Sequence, residues 1–246
     1  LYVTALLAFS ASAAATVYLS RSMPDGMDMP GGWTMSMMWM LMDGQTWPAS
    51  AATFMLMWIA MMVAMMLPSA LPMLRNFRRT LGAQGAINLG APVALAACAY
   101  FLVWLAVGFI VYVIGMVIAQ VAMRWEEFSR AMPAVSGAAL IVAGCIQFTR
   151  WKMAGLRHCR DPLAGATIRG GPWAGFRHGL SQGASCVVSS SPSMLALLAV
   201  GAMSLAVMAL VAALIAMEKC APKPEPVVRL SGMLALVAGT VMIAQL

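Results

Sequence analysis

Apolar residues run along this chain in long blocks separated by short polar punctuation. Seven blocks stand out, at about 1–20, 50–74, 91–122, 131–149, 179–200, 203–218 and 229–246. Most approach the roughly 20 residues that an α-helix needs to cross a bilayer, and none shows the strict alternation of a half-buried strand. The pattern predicts an all-α, polytopic transmembrane bundle of about seven spans, with six to eight allowed, forming one domain over 1–246. The third block is long enough to tilt or to continue beyond the bilayer. The first, LYVTALLAFSASAAATVYLS, has the small residues of a signal-peptide end but is taken as a spanning helix. Blocks five and six meet at VGAMS, which predicts a helical hairpin. Pro68 and Pro72 are expected to kink or end the second span. SRSMPDGMDMPGGW is expected to be irregular. TMSMMWMLM is expected to form a short interfacial helix, with Trp33, Trp39 and Trp47 as anchors.

Composition supports a lipid solvent. The chain is 62% hydrophobic and 9% charged, against about 25% charged for a soluble domain. Its net charge of +7 reports topology rather than nucleic acid. With the N-terminus in the cytoplasm, the inner loops hold Arg75, Arg78, Arg79, Arg150, Lys152, Arg157, Arg160, Arg169, Arg177, Lys219, Lys223 and Arg229. Only Arg21, Arg124 and Arg130 fall outside. This skew predicts a multi-pass protein of the bacterial inner membrane, with the lipid bilayer as its first partner. The basic loop at 150–178 then faces the cytoplasm. The exterior loop at 21–49, with Asp25, Asp28 and Asp43, faces the periplasm. Five cysteines at 98, 145, 159, 186 and 220 have no CxxC spacing and do not suggest a disulfide framework.

Sulfur changes the picture. Fifteen of the 25 methionines lie between positions 23 and 73. Within the second span, packing is the plain explanation, because methionine fills irregular gaps. Even so, at about 100° per residue Met55, Met62 and Met66 fall in one arc, with Met57, Met61 and Met65 beside it. Packing explains the exterior loop less well. Met23, Met27 and Met29 sit among Pro, Gly and Asp, where nothing demands a large apolar side chain. Thioether sulfur is a soft, neutral ligand that favours Cu(I). The MxxM and MxM spacings resemble the methionine motifs of extracellular copper-uptake and periplasmic copper-handling proteins. Trp33 or Trp39 could shield a bound cation through its ring face. An amphipathic interfacial anchor is the competing explanation. Zinc does not suit a loop without His or Cys.

A second constellation falls on the inner side. It comprises His158 and Cys159, His178 and Cys186, and the Glu218–Lys219–Cys220 end of the sixth span. In a hairpin turning near 201–202, residues whose numbers sum to about 403 lie side by side, which brings Cys186 within about one turn of Glu218. Cys and His are transition-metal ligands. The bland alternative is that the basic groups meet lipid headgroups and Glu218 pairs with Lys219 or an arginine. No Walker motif, dinucleotide fingerprint, HExxH or catalytic triad is legible, so a non-enzymatic role is expected.

Three stretches carry a resemblance: MWIAMMVAMMLPSALP, KMAGLRHCRDPLAG, and HGLSQGASCVVSSSPSMLALLAVGAMSLAVMALVAALIAMEK. Their order and spacing resemble a bacterial family of predicted metal-binding integral membrane proteins, over about three quarters of the chain. The resemblance implies metal binding through cysteines, of which Cys159 and Cys186 match. It also implies partial loss of that set, because Gly155, Ser189 and Ser190 stand where further cysteines are expected.

These observations predict a Cu(I)-handling membrane protein. Met23, Met27, Met29, Met35, Met37 and Met38 would capture the ion. The face carrying Met57, Met61, Met62, Met65 and Met66 would pass it inward, and Cys159, Cys186, His178 and Glu218 would receive it. Two rivals have different signatures. An accessory subunit would use its methionine faces to pack other membrane subunits without metal. A membrane copper oxidoreductase, or a subunit of one, would want histidine among the methionines, and neither histidine is there.

Overall fold

A computed structural model describes residues 2–22, 26–39, 46–84, 89–160, 172–201 and 204–245. Over these residues the chain forms eight α-helices, α1 (Tyr2–Ser22), α2 (Trp47–Ala83), α3 (Gly90–Arg124), α4 (Glu126–Gln147), α5 (Arg150–Arg160), α6 (Pro172–Val200), α7 (Leu205–Cys220) and α8 (Glu225–Ala244). The seven apolar blocks become α1–α4 and α6–α8 in order. Six helices, α1–α4, α6 and α8, are long and apolar enough to cross a membrane. At 16 residues, α7 falls short of that length and pairs with α6 as the second arm of a hairpin. The added helix, α5, occupies the first part of the segment expected to be a basic loop. Lys152, Leu156 and Cys159 recur on one side of it at helical spacing and face α6.

Neither proline ends α2. The helix runs through Pro68 and Pro72 to Ala83, and both rings lie on its exposed side. There the rings displace no packed neighbour. At 1.5 Å per residue, the 37 residues of α2 span about 55 Å, well beyond a hydrocarbon core of about 30 Å.

The tightest seam joins α3 to α6. Gly175, Gly179 and Gly183 form a GxxxGxxxG stripe along α6. A Cβ at Gly175 would strike the Pro92 carbonyl, and one at Gly179 the Ala96 carbonyl. One at Gly183 would lie 2.9 Å from a Val103 methyl. Small residues let the two backbones approach to van der Waals contact, the main adhesive where lipid surrounds the helices. At two glycines of α3 itself, aromatic rings fill the notches. Trp58 lies over Gly108 and donates to the Trp104 carbonyl at 2.8 Å, and Trp39 covers Gly115.

The methionine-rich segment at 26–39 departs from expectation. Met27–Met29 and Trp33–Met35 form a small antiparallel hairpin in place of irregular chain. Its turn uses Gly31 at φ 106° and Gly32 at φ 74°, backbone conformations that glycine tolerates best. Trp33 Nε1 donates to the Ser129 carbonyl at 2.9 Å, and Ser129 Oγ donates to the Pro30 carbonyl at 2.9 Å. Of the expected interfacial helix, the described residues form one short 3-10 turn, Met37–Trp39, and Met40 to Met42 lie outside the described residues. Trp39 packs inward on Phe54, whereas Trp47 is exposed.

Helix lengths divide the bundle into levels. α4 and α7 end, and α8 begins, near one polar layer containing Gln147, Glu218 and Ser231. Beyond that layer the C-terminal part of α2 and the N-terminal parts of α3 and α6 continue together, with Phe77 stacked on His178 at 4.5 Å. Arg75, Arg78, Arg79 and Arg177 are exposed on this extension.

Candidate metal-transfer site

The site begins on α2. Met57, Met61, Met62, Met65 and Met66 are all buried in one core with Phe54, Trp58, Tyr100, Trp104 and Cys186. Spacings of four residues, 57–61–65 and 62–66, stack these side chains along one side of the helix. Met38 and Trp39 close the upper end of the column against Phe54, Met57 and Met61. From Met57 to Met66 the column covers about 14 Å of helix axis.

Its lower end meets Cys186. Met66 Sδ lies 4.0 Å from Cys186 Sγ. The cysteine is buried at 1% exposure. Two donors converge on its sulfur, Tyr100 Oη at 2.9 Å and Lys219 Nζ at 2.7 Å. The sulfur accepts from both and faces the Met66 thioether on its other side. Ser190 Oγ is 3.7 Å away on the next turn. Cys159 Sγ lies 3.5 Å from Ser189 Oγ, and Ser189 Oγ in turn donates to the Cys186 carbonyl. Burial pushes the Cys159 thiol pKa above its ordinary value, against the opposing pull of Lys219.

Behind the thiols lies a buried ionic network. Lys152 Nζ and Glu218 Oε2 are 2.7 Å apart, and both side chains are sealed from solvent. Lys152 also donates to the Ser189 carbonyl. Glu218 Oε1 accepts from Gln147 Nε2 at 3.2 Å and from Ser231 Oγ at 2.9 Å. Burial lowers the Lys152 pKa, while Glu218 pulls it back up. Arg160 donates to the Glu218 carbonyl at 3.2 Å, tying α5 to the end of α7.

The expected ligands are therefore distributed rather than gathered. Among the described residues, no three His, Cys, Asp or Glu side chains group in a way that could hold a metal ion. Glu218 is committed to Lys152 rather than to Lys219 or an arginine side chain. His178 sits on the extension, with Nε2 buried and without a hydrogen-bond partner among the described residues. Two turns separate it from Cys186 along α6. In the two-stranded hairpin, Met29 and Met35 are buried against Ala119 and Ala122, whereas Met27 is 43% exposed. Met38 belongs to the main core, Met23 lies outside the described residues, and of Met37 only the backbone is described. The positions where further cysteines were expected are close to the cysteines present. Ser189 touches Cys159, Ser190 touches Cys186, and a Cβ at Gly155 would lie 3.5 Å from the Ser189 nitrogen. Sequence reasoning missed Tyr100 and Lys219. Hairpin spacing brought α7 to Cys186, but the rotation that turns Lys219 rather than Glu218 toward the sulfur is one residue off.

The fold and this sulfur-lined interior define a helical bundle with membrane-length helices and soft-metal side chains. The PpoB2 copper chaperone family model matches residues 55–242, and the chain belongs to that family. The match takes in the α2 methionine column, both α5–α6 cysteines and the Glu218–Lys219 pair. It agrees with the metal-related resemblance seen in the sequence, and the methionine-rich segment before α2 precedes it. No curated protein and no solved structure matches the chain.

Proposed function

We propose that this copper-chaperone family member carries Cu(I) from its methionine-rich exterior segment, along the α2 column, to the Cys186 sulfur. The observation that carries the proposal is the junction of Met66 Sδ and Cys186 Sγ at 4.0 Å, where a line of buried thioethers meets a thiol. Neutral thioethers bind Cu(I) without releasing protons, so the ion can step between them by ligand exchange. An anionic thiolate at the end of the line holds it more strongly and sets the direction. Met27, Met29, Met35 and Met38 stand at the receiving end, with Met23 and Met37 in the same segment. His178, whose Nε2 has no hydrogen-bond partner among the described residues, is the next ligand on the way to an acceptor, a metalloenzyme or another membrane subunit. Exterior methionines in the periplasm and Cys186 near the cytoplasmic face of a bacterial inner membrane fit the distribution of basic residues. Transfer of this kind needs no catalytic group.

Copper content by mass spectrometry, on protein purified in detergent under reducing conditions with Cu(I) supplied, tests the proposal. Near-stoichiometric copper in the wild type, lost in Cys186→Ser and in Met62→Leu/Met66→Leu, is expected. Copper-free wild-type protein that is still folded would end this reading and favour the accessory-subunit alternative.

A further inference from the structure

Lys219 needs an explanation beyond packing. It projects from the last turn of α7, and its Nζ lies 2.7 Å from Cys186 Sγ. Among the described residues, no carboxylate lies within ion-pair distance of it, because the neighbouring Glu218 is taken by Lys152. The backbone that carries Lys219 is also held in place. Glu218 is bonded through its side chain to Gln147, Lys152 and Ser231 and through its carbonyl to Arg160. The cation is thus fixed on the sulfur and not shared with a carboxylate.

We infer that Lys219 is a resident counter-cation that incoming Cu(I) must displace from Cys186, and that it thereby makes copper binding there weak enough to reverse. This inference rests on the copper reading above. With Cys186 as the thiolate that a Cu–S bond requires, ammonium and sulfur cancel before loading. On loading, a Cu–S bond to Cys186 forms and the N–H···S hydrogen bond breaks. The proton stays on Lys219, and no electron moves. The loaded site then holds one positive charge more than the empty one, in a buried place where like charges are screened poorly. Returning the ammonium to the sulfur expels the ion, and this supplies the release that a delivery protein needs. A storage site would have no use for such a competitor. Lys219 is a positioning residue in this scheme, since it acts on the ion through the sulfur.

Competition of the full-length protein with a chromophoric Cu(I) chelator in detergent, with the protons released on loading counted so that affinities refer to the ionised sulfur, reads the effect. Met replaces the ammonium by an uncharged chain of similar length, and Arg keeps the charge. Lys219→Met is expected to bind Cu(I) about tenfold or more tightly and to yield it to the chelator correspondingly slowly, as removal of a close like charge requires. Lys219→Arg should stay near the wild type. Equal or weaker affinity in Lys219→Met, with wild-type binding still abolished by Cys186→Ser, would overturn the counter-cation role alone. Wild-type copper binding that is absent or indifferent to Cys186→Ser would overturn the copper reading and this inference with it. Size-exclusion profiles matching the wild type show that each variant is folded. A merely structural role for Lys219 predicts lower affinity in both variants, which would also contradict the inference.

Discussion

Lys152 Nζ and Glu218 Oε2 form a 2.7 Å ion pair inside the bundle, with the two side chains 0% and 2% exposed. The pair joins α5 to α7, and Gln147 and Ser231 bring in α4 and α8. Removing one partner leaves an uncompensated buried charge. Lys152→Met or Glu218→Gln is therefore expected to cost about 3–5 kcal/mol, and the double replacement by apolar residues much less. Thermal unfolding in detergent measures this, and equal losses in the single and double variants would contradict it.

The α3–α6 seam depends on small residues. A side chain at Gly179 has no room beside the Ala96 carbonyl. Gly179→Val should separate the helices and cost at least the ~1–3 kcal/mol of an overpacked core. The same change at Gly82, where a Cβ would have only a methyl 3.8 Å away, should cost far less. Parallel melting curves of the two variants check the contrast.

Within the α2 column, stability and copper binding should separate. Methionine and leucine have similar volumes, so Met62→Leu/Met66→Leu should change stability by less than about 1.5 kcal/mol per site. Copper binding should nevertheless fall, because only the sulfur is gone. A variant that keeps its copper would show the column to be packing alone.

Cys159 should titrate late. Burial raises its pKa, so the neutral thiol persists to higher pH and the reactive thiolate appears only above the ordinary range. With Cys98, Cys145 and Cys220 replaced by Ala and Cys186 by Ser, alkylation at pH 8 should be slower than that of a free cysteine peptide. The rate should still be climbing at a pH where the peptide has levelled off. A rate profile matching the peptide's would remove the burial effect.

Much of this architecture was legible because long apolar blocks follow a coarse rule. The seven apolar blocks match seven helices in order, as continuous hydrophobicity requires. α5 was hidden because Arg150, Lys152, Arg157, His158 and Arg160 make it look like a solvated loop. Its inward signal, Lys152, Leu156 and Cys159, includes a lysine, which a hydrophobic pattern discounts. The GxxxGxxxG stripe at Gly175, Gly179 and Gly183 was present and would have located the α3–α6 seam. The hairpin before α2 has strands of three residues, too short for alternation to show, although Pro30-Gly31-Gly32 marked the turn. At the site, helical periodicity grouped the methionines, but it could not show that Met66 ends against Cys186 or that Lys219 and Tyr100 converge on the same sulfur. Those contacts depend on the rotation and depth of helices far apart in sequence.

The most direct measurement is X-ray absorption at the copper edge on Cu(I)-loaded protein whose methionines are replaced by selenomethionine. Thioether ligation then appears as Cu–Se scattering, and thiolate ligation as Cu–S. The account predicts both in the wild type, with Cu–S lost in Cys186→Ser and Cu–Se reduced in Met66→Leu. Copper surrounded only by nitrogen or oxygen, with neither signal, would contradict the central claim that a methionine column delivers Cu(I) to Cys186.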